Sequence, residues 1–403
     1  MELRPTGGMC LLIIEVNMKK VLPMSLSLFC AAVLQTSSQS FGRDLAVQWR
    51  WQADETNQRF QPGPLITVNK RLFCCVAQFT KTEQSKLKME FHLWEFDSTG
   101  QRVRDILLHS SDHIMDSPLP SRVACFASSK AGQLYVIVRQ SHSPPLLIKT
   151  SDTLEVVYKK PLITKNADFN TIQLLPNGNF VLTGHDDSKG VLVELSPLGD
   201  AIRTKEFSKE IWGCNCSDLR LSTSNNFLLA MCSDGKVCSV SIHKLDDKWD
   251  VLKSAEIAIP DGVYLNEILK FQFAGVSSNG LALLGASREN GNRKHTVKTY
   301  NTELETTTEV SMNSASDLLG FCQAKPFDND TFAVLGEERA AGVTLYLLHN
   351  NGQEETHLKI TDRCSDIHSW IESSDGHLWL VTRTCGEDEA VGRVSVFAIE
   401  VKK

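Results

Sequence analysis

Much that would identify a familiar enzyme is missing from this chain. It holds no Gly-x-Ser-x-Gly elbow, no His-Glu-x-x-His pair, no phosphate-binding loop and no EF-hand spacing, so the reaction classes those motifs serve find no foothold here. No charge of one sign dominates. Lys and Arg number 42 against 48 Asp and Glu, a net charge of −6, and without a basic patch the chain offers no electrostatic footprint for nucleic acid. No apolar run reaches the ~20 residues that a membrane-spanning helix needs. No linker rich in Pro, Gly or Ser and no low-complexity tract divides the chain, so no second domain is expected.

The N-terminal apolar run has another reading. Met18-Lys19-Lys20 opens a second start, Val21–Leu34 is a short apolar stretch, and small polar residues follow up to Ser40. That order of basic segment, apolar segment and small-residue site predicts a secretory signal peptide cleaved after Ser40, with Met1–Asn17 as upstream sequence. The bulky Phe29 before Cys30 argues against a lipoprotein cysteine. Residues 1–40 are thus expected to be an upstream segment and signal, and residues 41–403 one exported domain, periplasmic or secreted, with a net charge of about −7.

What the chain does have is one phrase, repeated: a strand, a tight polar turn, and a second apolar strand. The clearest copy is Thr171–Gly184, TIQLLPNGNFVLTG. Its turn recurs at Asn69-Lys70, Ala131-Gly132, Asn177-Gly178, Asn225-Asn226, Asn279-Gly280, Asn329-Asp330 and Asp375-Gly376. The spacing, roughly 47–61 residues, suits the blades of a β-propeller. Each repeat resolves into four strands, A to D. In the third they read Thr171–Leu175, Asn179–Thr183, Gly190–Leu195 and Ala201–Phe207. The B strands are nearly all apolar (Leu72–Val76, Phe227–Met231, Phe332–Leu335), as strands buried on both faces are.

Seven A–B turns stand against six C–D turns, at Asp97–Gly100, Ser151-Asp152, Leu198–Asp200, Leu245–Asp247, Asn301-Thr302 and Asn350–Gly352. The last repeat therefore lacks an outer strand, and Leu45–Trp51, LAVQWRW, is the expected donor. The predicted fold is all-β: a seven-bladed β-propeller of four-stranded antiparallel blades, its ring closed by the N-terminal strand so that two sheet edges are paired. The longest irregular connection is expected at His109–Arg122, which carries Pro118 and Pro120.

Leu175–Gly184 (LPNGNFVLTG) followed by Val191–Ser196 (VLVELS) resembles the blades of bacterial secreted propellers of the WD40-like and quinoprotein-like group, over Leu45 to Val401. The resemblance implies the propeller fold. It does not extend to a cofactor, because the Gly-His … Trp-Asp signature is lacking and Trp249-Asp250 lies beside a C–D turn. The repeated Thr-Gly-x-x-x-Trp motif of quinoproteins is lacking too.

Meander topology sends the B–C and D–A loops to one face and the short A–B and C–D turns to the other. Variable loops on a rigid scaffold are where function concentrates. On that face the ligand-binding candidates are His185, Asp186 and Asp187, then Glu337, Glu338 and Arg339, then Asp366, His368 and Arg383. Acidic hairpin tips are also common for solvation alone. Convergence of these groups would suit a ligand near the central channel, and paired carboxylates suit acid–base work or Ca²⁺.

Cysteine supplies a second group of candidates. Cys214 and Cys216 enter the fourth repeat, and Cys232 and Cys238 flank its B–C hairpin. They read as two disulfides or as a Cys₄ zinc site, with export and the tight Cys-x-Cys spacing favouring disulfides. Cys364 and Cys385 are expected to pair in the last repeat. Cys74, Cys75, Cys125 and Cys322 lie in apolar strands and read as buried thiols. The expected function is a non-catalytic binding module for a protein, peptide or glycan, monomeric and without a required cofactor. The alternative is a propeller hydrolase or lyase acting on carbohydrate, with His and carboxylates at the channel mouth. An axial cluster of His and acids from three or more blades would favour the enzyme.

Overall fold

The structure is a computed structural model. It describes residues 43–402 except the connections at 54–58, 82–86, 114–121, 129–131, 141–142, 163–166, 187–188, 208–214, 223–226, 234–237, 258–271, 278–279, 290–291, 313–317, 329, 339–341, 352, 361–369, 375 and 386–391. No helix among the described residues is long and apolar enough to cross a membrane.

The described residues form 28 strands in seven four-stranded antiparallel sheets. β1 (Asp44–Gln52) comes first and belongs to the last sheet. Blade 1 is β2 (Arg59–Val68), β3 (Arg71–Lys81), β4 (Leu87–Phe96) and β5 (Arg102–His113). Blade 2 is β6 (Arg122–Ser128), β7 (Leu134–Gln140), β8 (Ser143–Thr150) and β9 (Val156–Pro161). Blade 3 is β10 (Ala167–Leu174), β11 (Phe180–Asp186), β12 (Lys189–Leu195) and β13 (Ala201–Phe207). Blade 4 is β14 (Asn215–Ser222), β15 (Phe227–Ser233), β16 (Cys238–Leu245) and β17 (Val251–Ile257). Blade 5 is β18 (Gln272–Ser277), β19 (Gly280–Glu289), β20 (Asn292–Asn301) and β21 (Thr306–Met312). Blade 6 is β22 (Leu318–Pro326), β23 (Thr331–Glu338), β24 (Gly342–His349) and β25 (Glu354–Lys359). Blade 7 is β26 (Trp370–Ser374), β27 (His377–Cys385), β28 (Gly392–Lys402) and, on its outer edge, β1. First strands of successive blades touch one another (β2 with β6, β6 with β10, β22 with β26, β26 with β2), so the A strands line the axis of a seven-bladed propeller.

The predicted closure is present. β1 pairs antiparallel with β28 from Asp44↔Lys402 to Gln52↔Ser395. The loop expected from His109 is a correction: β5 runs on to His113, which lies opposite Leu87. The strand predicted from Thr171 likewise begins earlier, at Ala167, because Asn170 bulges out of register and interrupts the alternation that sequence reading follows.

Burial explains the apolar B strands. Successive residues of a strand face opposite sides of the sheet, and here each side meets a different blade. On β3, Leu72, Cys74 and Val76 pack against blade 7, while Phe73, Cys75 and Ala77 pack against blade 2. On β23, Phe332 and Val334 face blade 5, and Ala333 and Leu335 face blade 7. Cys74 and Cys75 are buried, as expected, and burial pushes the Cys74 thiol far up.

Two repeated devices join the blades, and both sit at the C–D turns. In the turns beginning at Asp97, Ser196, Asp246 and Asn301, the first side chain accepts backbone N–H groups two and four residues on. The fourth residue of these turns, and of the one beginning at Ser151, takes positive φ: Gly100, Gly199, Trp249, Leu304 and Leu154. Leu154, Trp249 and Leu304 are buried between their own blade and the preceding one. Where the residue is Gly, the preceding blade fills the space. A Cβ on Gly199 would lie 2.9 Å from Leu147, and one on Gly100 2.2 Å from the Trp49 ring.

The outer strands of blades 1, 2 and 3 also reach the next turn. Arg104 donates to the Thr153 carbonyl at 3.3 Å, the Tyr158 hydroxyl to Pro197 at 3.3 Å, and Arg203 to Asp247 at 2.7 Å. All seven outer strands carry a β-bulge at one position, occupied by Val103, Val157, Ile202, Leu252, Thr307, Glu355 and Gln48. The seventh is on β1, so the closing strand copies the irregularity of the strands it replaces.

Candidate functional site

Every B strand runs toward the loop-rich face, and the candidates cluster where three of them end. His185 and Asp186 close β11, opposite Gly190 and Lys189 on β12 and opposite Asp168 and Ala167 on β10. Glu337 and Glu338 close β23, opposite Val343 and Gly342. Arg383 and Cys385 lie at the end of β27, opposite Val394 and Gly392. The fold thus brings these backbones to one face, from adjacent blades 6 and 7 and from blade 3. Asp187, Arg339, Asp366, His368, Cys214 and Cys364 lie outside the described residues.

Sequence reasoning missed the residues that begin the A strands. Arg59, Arg122, Asp168, Asn215, Gln272 and Trp370 stand in the first two positions of β2, β6, β10, β14, β18 and β26. Because A strands line the axis and start on the loop-rich face, these positions ring the channel mouth more closely than the hairpin tips do. The available signal was topological: the first polar or aromatic residue after each D–A loop.

Two other histidine clusters occur in the described structure. His92 Nδ1 lies 2.6 Å from Asp105 Oδ1. Trp94 Nε1 and Arg102 Nη1 each donate to Asp105 Oδ2 at 3.2 Å. Burial raises the Asp105 carboxyl, and the bond and charge of His92 with the charge of Arg102 outweigh it, leaving Asp105 below the ordinary carboxylate range. The geometry is that of an oriented histidine, but His92 Nε2 is buried without a partner and shut from any substrate. His243 is 3% exposed. Its ring nitrogens meet Ser241 Oγ at 2.8 Å and Ser254 Oγ at 2.7 Å, and burial pushes it down to about 4. It is a neutral, satisfied core histidine at physiological pH. Among the described residues no three His, Cys, Asp or Glu side chains come together as a metal-holding group.

The opposite face spends its polar groups on itself. Asn177 and Asn179 donate to Glu194, which also takes Arg203 at 2.9 Å. Asp328 accepts from Asp330, Thr331 and Arg43. The composition of these turns is accounted for by backbone geometry and by bonds between blades.

No protein-family model matches the chain, and no curated protein matches it. Among solved structures it is similar to the AfRom2 CNH domain, with a TM-score of 0.47 and 9% identity over 88% of this chain and 98% of that one. It is also similar to a protein of unknown function from Dyadobacter fermentans, with a TM-score of 0.48 and 9% identity over 89% and 99%. At so low an identity neither lends this chain a function.

Proposed function

We propose that this propeller is an exported, non-catalytic binding module that holds a protein, peptide or glycan on its loop-rich face. The supporting observation is the topology of the loop-rich face: β11, β23 and β27 end there with His185, Asp186, Glu337, Glu338 and Arg383, so polar residues from blades 3, 6 and 7 share one face. A ring whose blades are joined at several of its C–D turns holds such loops in place, and preorganised loops lose less entropy on binding.

The test begins with glycan arrays and peptide libraries screened against residues 41–403. Asp186→Ala with Asp366→Ala should weaken any hit tenfold or more and leave the melting temperature unchanged. Loss of binding on changing Asn177 or Asn351, with no loss at the acidic pair, would move the site to the short-turn face and overturn the reading.

A further inference from the structure

The four cysteines of blade 4 allow three pairings or one shared metal, and the register of the sheet selects among them. In the A–B ladder, Asn215 lies opposite Ser233 and Cys216 opposite Cys232, and the register then shifts at Ser217. Directly opposite residues of antiparallel strands have Cα atoms about 4.5–5.5 Å apart. A disulfide spans Cα separations of about 4.4–6.8 Å. On the next ladder Cys232 lies opposite Ser239 and Cys238 opposite Ser233. Cys238 is therefore one step out of register with Cys232 and on the other face of the pleat.

The pair that precedes the inner-strand register shift can be compared in other blades, where the shift falls at different heights along the blade. The pair just before the inner-strand register shift is Val123↔Val138 in blade 2, Phe169↔Gly184 in blade 3, Phe273↔Leu283 in blade 5 and Phe321↔Gly336 in blade 6. Those places hold apolar residues or glycine. Blade 4 alone of these five has two thiols, set at matched positions.

We propose that Cys216 and Cys232 form a cross-strand disulfide tying the innermost strand of blade 4 to its neighbour, and that the four blade-4 cysteines do not share a zinc ion. The reaction is thiol–disulfide exchange with a low-molecular-weight or protein disulfide as oxidant. One cysteine thiolate attacks the donor disulfide and releases one donor thiolate. The second cysteine thiolate then attacks the resulting mixed disulfide at the protein sulfur and releases the other. Two protein thiols are oxidised, one donor disulfide is reduced to two thiols, and the two cysteine protons pass to those thiols through solvent.

The test uses the full chain, reduced and then incubated with excess oxidised glutathione. Free thiols are blocked before digestion, and linked peptides are identified by mass. A linked peptide joining Cys216 to Cys232 is expected, undiminished in Cys238→Ser. Its formation should raise the melting temperature by a few degrees, on the order of 5 °C. Cys232→Ser should leave Cys216 as a free or glutathionylated thiol. Pairing of Cys216 or Cys232 with any other cysteine, or persistence of both as free or glutathionylated residues in the parent chain, would overturn the proposal. So would one zinc retained per chain and released by alkylating these thiols.

Discussion

Between blades 3 and 4, Arg203 stacks on the Trp249 ring at 3.7 Å and Lys205 pairs with Asp250 at 2.5 Å. Between blades 7 and 1 the position of Arg203 is taken by Trp49, which fills the space beside Gly100. Around it an aromatic cluster forms. Trp49 lies 5.6 Å from Trp379, Trp51 lies 5.3 Å from Trp94 and 5.2 Å from Phe96, and Arg102 covers both Trp51 and Trp94. The two junctions differ in how the bridging strand is tied to its own blade. Both β13 and β1 run on into the first strand of the next blade, but β13 is also joined to β12 by a C–D turn, and a polar, half-exposed clasp accompanies it. No such turn ties β1 to β28, and its docking on blade 7 rests on eight register pairs and aromatic burial. Arg43 adds an anchor on blade 6, bonded to Asp328 at 2.5 Å, to Glu355 at 2.7 Å and to Thr331 at 3.1 Å, and stacked over Phe327. Glu355 is the bulge residue of that blade's outer strand.

The largest effect should come from removing the closing strand. Deletion of residues 43–52 strips β28 of its partner and uncovers Trp94 and Phe96, and cooperative thermal unfolding should be lost or shifted down by tens of degrees. A variant melting like the parent would show that closure contributes nothing.

Acid should strike the two junctions in different pH ranges. His243 lies on the Leu245 face of β16, toward blade 3. Its folded pKa is depressed from 6.5 to about 4, so the unfolded chain takes up a proton that the folded one refuses as pH falls from 6.5. Stability at this junction should drop by about 3 kcal/mol between pH 6.5 and 4, and His243→Gln should flatten that slope in denaturant titrations. At the anchor of the closing strand on blade 6, the bond from Arg43 outweighs the burial of Glu355, and for Asp328 it offsets a larger burial cost. Both acids are left below their ordinary values. Their contribution is complete above the unfolded carboxylate range and is lost only as pH falls below about 4.

Glycine substitutions sharpen the comparison at a smaller scale. Gly100 and Gly178 have positive φ, +83° and +87°, but only Gly100 has a ring against its missing side chain. Gly178→Ala should cost about 1 kcal/mol from backbone strain alone. Gly100→Ala should cost about 3 kcal/mol or more, because Trp49 must also move. Equal losses in chemical denaturation would remove Trp49 from its assigned role. The smallest effect belongs to Lys205→Ala, within about 0.5 kcal/mol, as for exposed ion pairs generally.

The fold was legible because turn chemistry and apolar B strands repeat, and because seven A–B turns against six C–D turns exposed the missing strand. The junctions were not legible. Leu154 and Leu304 look like stray turn residues until their positive φ and burial are seen, and Arg104, Arg203 and Lys205 look like solvated surface charge. The blade-4 cysteines were legible as a group but not as a pair, since pairing depends on a register that the bulge at Ser217 shifts. The candidate site was legible as a face. Its innermost ring, with Asp168 beside His185, needed the knowledge that A strands lie on the axis.

The pairing of Asp44 with Lys402 joins the first described strand to the last. During synthesis β1 emerges before any blade exists, and at ~5–20 residues per second its partner follows only tens of seconds later. Six blades can assemble in order as they leave the ribosome, but the seventh cannot be finished until β28 has emerged. A nascent chain is therefore an open arc whose β1 edge lacks its partner strand and whose Trp49 lacks its contact with Trp379, and it is in this interval that chaperones have most to shield.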